Sequence, residues 1–140
     1  MRTIKFRAWD KNGDNPQEKS LKGVMICHEY LMNHPKTLIK AIKGDYILIQ
    51  FTGLLDSQGK EIYEGDIIEI DGGSDKVNGE VIFEEGCFCF KAPWIKEGNS
   101  YPELKYYTVF AGLNDDKRFK DCILTKIIGN IYEHNELLKQ

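Results

Sequence analysis

The sequence contains no apolar run approaching the roughly 20 residues that a membrane-spanning helix needs. Its first ten residues, MRTIKFRAWD, carry charge and hold no apolar signal-peptide segment. A cytoplasmic protein without membrane contact is therefore expected, and its four cysteines read as reduced thiols. Cationic excess is missing too. The net charge is −3 with a pI near 5.6, so no global field draws the chain to phosphate backbones or anionic lipid. A local patch from Lys36, Lys40 and Lys43 stays compatible with that balance, although scattered lysines usually form a solvated surface.

Metal and nucleophile motifs are equally scarce. The three histidines, His28, His34 and His134, show neither HxH nor HExxH spacing. Cys27 and Cys122 stand alone, and no second close pair accompanies Cys87 and Cys89 to complete a zinc set. Cys27 and His28 are neighbours, which on a strand sends their side chains to opposite faces. Gly72-Gly73-Ser74-Asp75-Lys76 lacks the GxxxxGKS/T pattern of a phosphate loop and has no helical pattern behind it. No GxSxG motif supports a nucleophile at Ser74 or Cys122.

What is present suits a β-rich domain. A chain of 140 residues with 41% hydrophobic side chains can bury one core. Residues 4–9 alternate Ile4, Phe6 and Ala8 with Lys5 and Arg7, the period of a half-buried strand. Further strands are expected at 23–27, 46–51, 66–71, 79–84, 87–91, 104–111 and 125–132. Glu85-Gly86 forms the turn of the 79–91 hairpin. Along residues 87–90 the two thiols share one face and the two phenyl rings the other. Residues 71–75 and 93–102 read as loops, residues 114–116 as a short turn or helix, and residues 135–139 as a terminal helical turn. Pro35 interrupts any helix through residues 29–42, so that stretch is expected to be a mobile or partner-dependent excursion, with a short strand or helix at 38–42. No repeat or low-complexity tract marks a second domain. The expectation is an all-β, or β-dominated, single domain over 1–140 with minor helix: a small SH3-like barrel with additional strands.

The densest local chemistry lies in FTGLLDSQGKEIYEGDIIEI, residues 51–70. Asp56-Ser57-Gln58-Gly59 has turn chemistry, because Asp accepts N–H groups two residues on and Gly tolerates the left-handed conformation. Gly65 before Asp66 and an apolar strand marks a corner where a side chain would clash. Glu61, Glu64, Asp66 and Glu69 have the chemistry for a metal or an acid–base pair. No ligand spacing fixes them, and exposed carboxylates covering strands and turns are the plainer reading.

Phe51-Thr52-Gly53-Leu54, Asp56 and the run from Gly59 to Ile68 resemble the signature segment of the YopX family. Ile4-Lys5-Phe6-Arg7-Ala8-Trp9-Asp10 resembles that family's opening. Ile128-Gly129-Asn130-Ile131-Tyr132-Glu133, with Glu136-Leu137-Leu138, resembles its ending. Leu55 departs from the pattern, standing where a basic or polar turn residue is expected, and His134-Asn135 stands in place of Asn-Pro. The resemblance implies a small phage or prophage protein of β-rich fold. It implies no reaction, cofactor or catalytic residue.

The first functional expectation is thus a non-enzymatic protein-binding or assembly module without cofactor or metal. It would self-associate through strand edges or through residues 28–45. Its binding candidates are Glu61, Glu64, Asp66, Trp9, Arg7 and Trp94. The alternative is a nucleic-acid-binding small β-barrel, in which Trp9 beside Arg7, and Trp94 near Lys91 and Lys96, would stack bases. A carboxylate-bound metal enzyme ranks third. The purified chain is expected to hold no structural zinc; elemental analysis returning one zinc per chain would overturn that reading.

Overall fold

The structure is a computed structural model and describes residues 3–13, 23–71, 76–84, 86–92 and 124–139. The strand at 104–111, the turn at 114–116, the loops at 72–75 and 93–102, and Trp94, Ser74 and Cys122 lie outside the described residues. The fold is β-dominated. Among the described residues, eight strands form two four-stranded antiparallel sheets: β1 (Phe6–Asp10), β2 (Val24–Ile26), β3 (Ile47–Leu55), β4 (Glu61–Tyr63), β5 (Asp66–Asp71), β6 (Lys76–Glu84), β7 (Cys87–Lys91) and β8 (Leu124–Asn130). Their orders are β2-β1-β3-β4 and β7-β6-β5-β8. The chain divides into two compact units, Met1–Gly53 and Leu54–Gln140, with the boundary inside β3.

In the first unit, the alternation read from residues 4–9 sets the register. Ala8 faces Ile26 on one side and Leu48 on the other. Ala8, Ile26, Leu31 and Ala41 make the buried cluster, with Phe6, Tyr30, Leu38, Tyr46 and Leu48 around it. Leu31 and Ala41 come from two helices, α1 (His28–Asn33) and α2 (Pro35–Lys43). The expected interruption is present at His34, and the short helix expected at 38–42 lies within α2, which starts earlier: Pro35 begins it, at a position where the missing N–H has no partner to lose. The interruption is confined to His34, at φ −127° and ψ 79°. Gly44 ends α2 in the left-handed region at φ 90°, and its N–H and that of Asp45 satisfy the carbonyls of Ala41 and Lys40. The signal was therefore in the sequence: proline at the start, glycine after the last lysine.

In the second unit, Ile62, Ile68, Val81, Phe90 and Ala92 form the buried cluster, flanked by Leu54, Ile70, Val77 and Ile127. The expected β6–β7 hairpin is present, with Glu84 opposite Cys87 and Gly86 at φ 82°. Ile67 and Ile68 point to opposite faces of β5 yet both are fully buried, so β5 is covered on both sides there. Burying such a side chain is worth about 1.5–3 kcal/mol.

Gly79 has a packing reason to be glycine. A Cβ there would lie 2.4 Å from Phe90 Cζ and 2.7 Å from the Lys91 carbonyl oxygen. Substituting Gly79→Ala is expected to cost about 1–3 kcal/mol, the usual range for overpacking. A urea denaturation midpoint that does not move would show that the Phe90 ring does not occupy that space.

Candidate functional site

The carboxylates of the 51–70 segment were the first candidates, and the structure separates them by role. Asp56 is buried. Its Oδ1 accepts the N–H groups of Gln58 at 2.8 Å and Lys60 at 2.9 Å, while Oδ2 accepts the N–H of Ile127 on β8 at 3.1 Å. The turn closes as its residue types require: Asp56 N–H donates to Lys60 O, Gly59 N–H to Asp56 O, and Gly59 sits at φ 81°. Ser57 adds a second tie to β8, donating both its N–H and its hydroxyl to Thr125 O. Burial alone would raise the Asp56 pKa. The N–H donors of Lys60, Ile127 and Gln58, with the Lys60 charge, outweigh it and hold the carboxyl below the ordinary range.

Asp66 corrects an expectation. It was read as an exposed carboxylate and is 1% exposed. Its Oδ2 accepts the Tyr63 N–H at 2.8 Å across the Glu64-Gly65 corner, and it pairs with Asn130 in the β5–β8 register. The corner itself is pinned by Gly65, at φ 75°: its N–H donates to Val81 O and its carbonyl accepts from Ile131 N–H. Glu61 accepts the Tyr63 hydroxyl at 2.9 Å. Glu69 pairs with Lys76 at 2.9 Å. Glu61 and Glu64 keep partial exposure, so of the three carboxylate candidates these two face solvent.

The aromatic and thiol candidates are also engaged in folding. Trp9 is 5% exposed, and its ring lies against Gly23, where a Cβ would come within 2.3 Å of Cζ2. It is therefore not open to a stacked base. Arg7 is half-buried in β1 opposite Ile49. His28 accepts the Phe6 N–H through Nδ1 at 3.3 Å, while Cys27 precedes α1 as its exposed cap residue. Cys87 and Cys89 share a face with sulfurs 3.4 Å apart. Among the described residues, no three His, Cys, Asp or Glu side chains converge as a metal set. No helix among them is long and apolar enough to cross a membrane.

A different surface carries unassigned chemistry: the outer side of α2. Pro35, Ile39 and Ile42 follow one another at helical spacings of four and three residues. Lys36, Lys40 and Lys43 do the same one position on. Two parallel stripes result, one apolar and one cationic. Ile39 is 49% exposed and Ile42 66%, and Met32 of α1 is exposed as well. Aromatic rings brace the helix pair: His34 stacks on Tyr30 with centroids 3.7 Å apart, and Lys40 Nζ lies 5.8 Å from the Tyr46 ring centre. Residue-by-residue reading recorded the lysines and missed the isoleucines. Taking the period of 3.6 through Pro35 would have found both stripes.

Residues 5–139 match the family of the YopX protein, and the chain belongs to that family. The crystal structure of protein EF1440 from Enterococcus faecalis is similar in fold, covering 99% of each chain at 21% identity with a TM-score of 0.50. No curated protein matches. That range includes Asp56, Gly59, Gly65 and Asp66, and also Asn130, whose Oδ1 accepts the N–H groups of Tyr132 and Glu133.

Removing the Asp56 carboxylate by Asp56→Ala is expected to cost about 2–3 kcal/mol at neutral pH, since hydrogen bonds to charged groups carry about 1.5–3 each and the turn amides regain water. The folded pKa lies below the unfolded one. The contribution is therefore complete above the unfolded value of about 3.9 and is lost as pH falls through the folded pKa. Urea unfolding of both proteins at neutral and acid pH checks this: the gap should narrow in acid, and a constant gap would contradict it.

Proposed function

We propose that this YopX-family chain is a phage- or prophage-encoded, non-enzymatic module of the host cytoplasm that binds protein through the outer side of α2. The phage origin rests on the family resemblance, and the binding mode on one observation. Ile39 and Ile42 are large apolar side chains about half or more exposed, in line with Pro35, beside a row of three lysines. Holding such side chains in water forgoes burial energy, while an amphipathic helix face laid against an apolar partner surface recovers it. The lysines select the rim chemistry, favouring carboxylates around the partner's apolar contact. Asp66, one of the carboxylates that suggested acid–base work, leans the same way, because it already accepts the Tyr63 N–H.

The same lysines beside Tyr30, His34 and Tyr46 would suit a nucleic acid, and the isoleucines separate the two readings. Retention of host proteins on immobilised wild type is compared with Ile39→Ser/Ile42→Ser and Lys36→Glu/Lys40→Glu/Lys43→Glu, after circular dichroism shows that each is folded. Protein binding predicts that both variants lose the retained partner, with affinity falling at least about tenfold. Binding of single-stranded DNA or RNA that survives the serine changes, vanishes with the lysine changes and weakens with salt would replace the protein reading.

A further inference from the structure

Cys87 and Cys89 serve neither the α2 surface nor the Asp56 turn. Both thiols are free, Cys87 half-buried and Cys89 3% exposed. They stand opposite Glu84 and Ile82 of β6, on the face turned away from Phe90 and Val81 of the buried cluster. Residues two apart on a strand are separated by about 6.6 Å along the backbone. The sulfurs are nevertheless only 3.4 Å apart, so the two side chains lean toward each other. The Cys87 S–H also reaches the Glu84 carbonyl at 3.4 Å, and the Cys89 S–H the Cys87 carbonyl at 3.8 Å.

That separation selects among the reactions open to two thiols. A disulfide needs sulfurs at about 2.0 Å and Cβ atoms about 3.8 Å apart, which strains an extended strand. An atom bridging the sulfurs needs no such collapse. With thiolate bonds of about 2.3 Å, one atom bonded to both sulfurs at their 3.4 Å separation closes an angle of about 95°. A linear two-coordinate ion would push the sulfurs out to about 4.6 Å. A structural tetrahedral ion takes four protein donors, and among the described residues no three His, Cys, Asp or Glu side chains converge. The geometry suits a pyramidal, thiophilic centre that accepts two sulfurs near a right angle and brings its own third substituent.

We infer that Cys87 and Cys89 form a dithiol site for a monosubstituted trivalent arsenical, with one arsenic atom bridging both sulfurs. The step is a condensation. An arsenoxide, R–As=O, and the two thiols give R–As bonded to both sulfurs, plus one water. Two As–S bonds form, the As=O bond and both S–H bonds break, and the two thiol protons leave on the oxygen. Arsenic stays trivalent, so the step needs no oxidant or reductant. Half-buried Cys87 is the point of entry, and Cys89 beside it makes the second bond intramolecular.

Phenylarsine oxide is the probe, added to the full reduced chain and followed by intact-mass spectrometry. One phenylarsenic group per chain is expected, bound with loss of one water. It should resist excess mercaptoethanol and be stripped by dimercaptopropanol, which is itself a chelating dithiol. Cys27→Ser/Cys122→Ser should keep it. Cys87→Ser and Cys89→Ala, each shown to be folded by circular dichroism, should bind at least about a hundredfold more weakly, because a single thiol gives no chelate. The urea midpoint of the wild type should rise with the arsenical bound, since the folded strand presets the sulfurs and the unfolded chain does not. No adduct, an adduct that survives Cys87→Ser or disappears with Cys27→Ser/Cys122→Ser, or a midpoint that fails to rise overturns the inference.

Discussion

The Asp56 carboxylate accepts three backbone N–H groups, two from its own turn and one from Ile127, which is 71 residues away along the chain. A buried carboxylate without donors would be costly, and three donors reverse the sign by favouring the charged form. The turn depends on that charge for its shape. The approach of β8 depends on it for position, with Ser57 and Thr125 completing the tie. Once β8 is placed, it completes the β5 register from Asp66 to Asp71, and the closing Asn130 turn falls beside the Gly65 corner. Asp56 therefore couples a local turn to a long-range strand pairing.

That coupling explains why the 51–70 segment is crowded with specific residues. Asp56 and Gly59 shape one turn; Gly65 and Asp66 shape the next. Each of these residues serves the backbone of the second unit, and the chemistry they suggest in isolation is already spent there. On the proposed reading the recognition surface is α2, where large side chains remain in water although the same helix buries Ala41. Met1–Gly53 has nine Lys and Arg against five Asp and Glu, while Leu54–Gln140 has ten against seventeen. The division matches this charge division between the two units: an acidic β-rich unit tied together by backbone hydrogen bonds, and a basic unit whose helix displays apolar side chains.

How much of this was legible in the sequence follows from the range of each interaction. The Asp56–Gly59 turn, the alternation of β1 and the β6–β7 hairpin are encoded within a few residues, and each is where the pattern puts it. The Ile127 donor to Asp56 was not legible, because nothing local to either residue announces the other. Asp66 was misread for a related reason: a carboxylate beside a glycine turn is usually exposed, and only the packing of Asn130 and Tyr63 around it decides otherwise. Trp9 looked available beside Arg7 until Gly23 supplied the flat surface against its ring. The helix pair was legible in part: the break at His34 and a helix at 38–42 are where the pattern puts them, while α1 and the first turn of α2 were not read. Proline can stop a helix or begin one, and Gly44 two turns later favoured the second.

The pKa of Asp56 tests most directly whether its carboxylate is ionised and held by three backbone N–H groups in the folded protein. Side-chain carboxyl carbon chemical shifts of Asp56, followed by NMR through an acid titration of the folded chain, report it without a substitution. A midpoint below the ordinary aspartate value of about 3.9 is expected. A midpoint at or above that value would mean that burial outweighs the Gln58, Lys60 and Ile127 donors, and that this carboxylate does not hold the turn to β8.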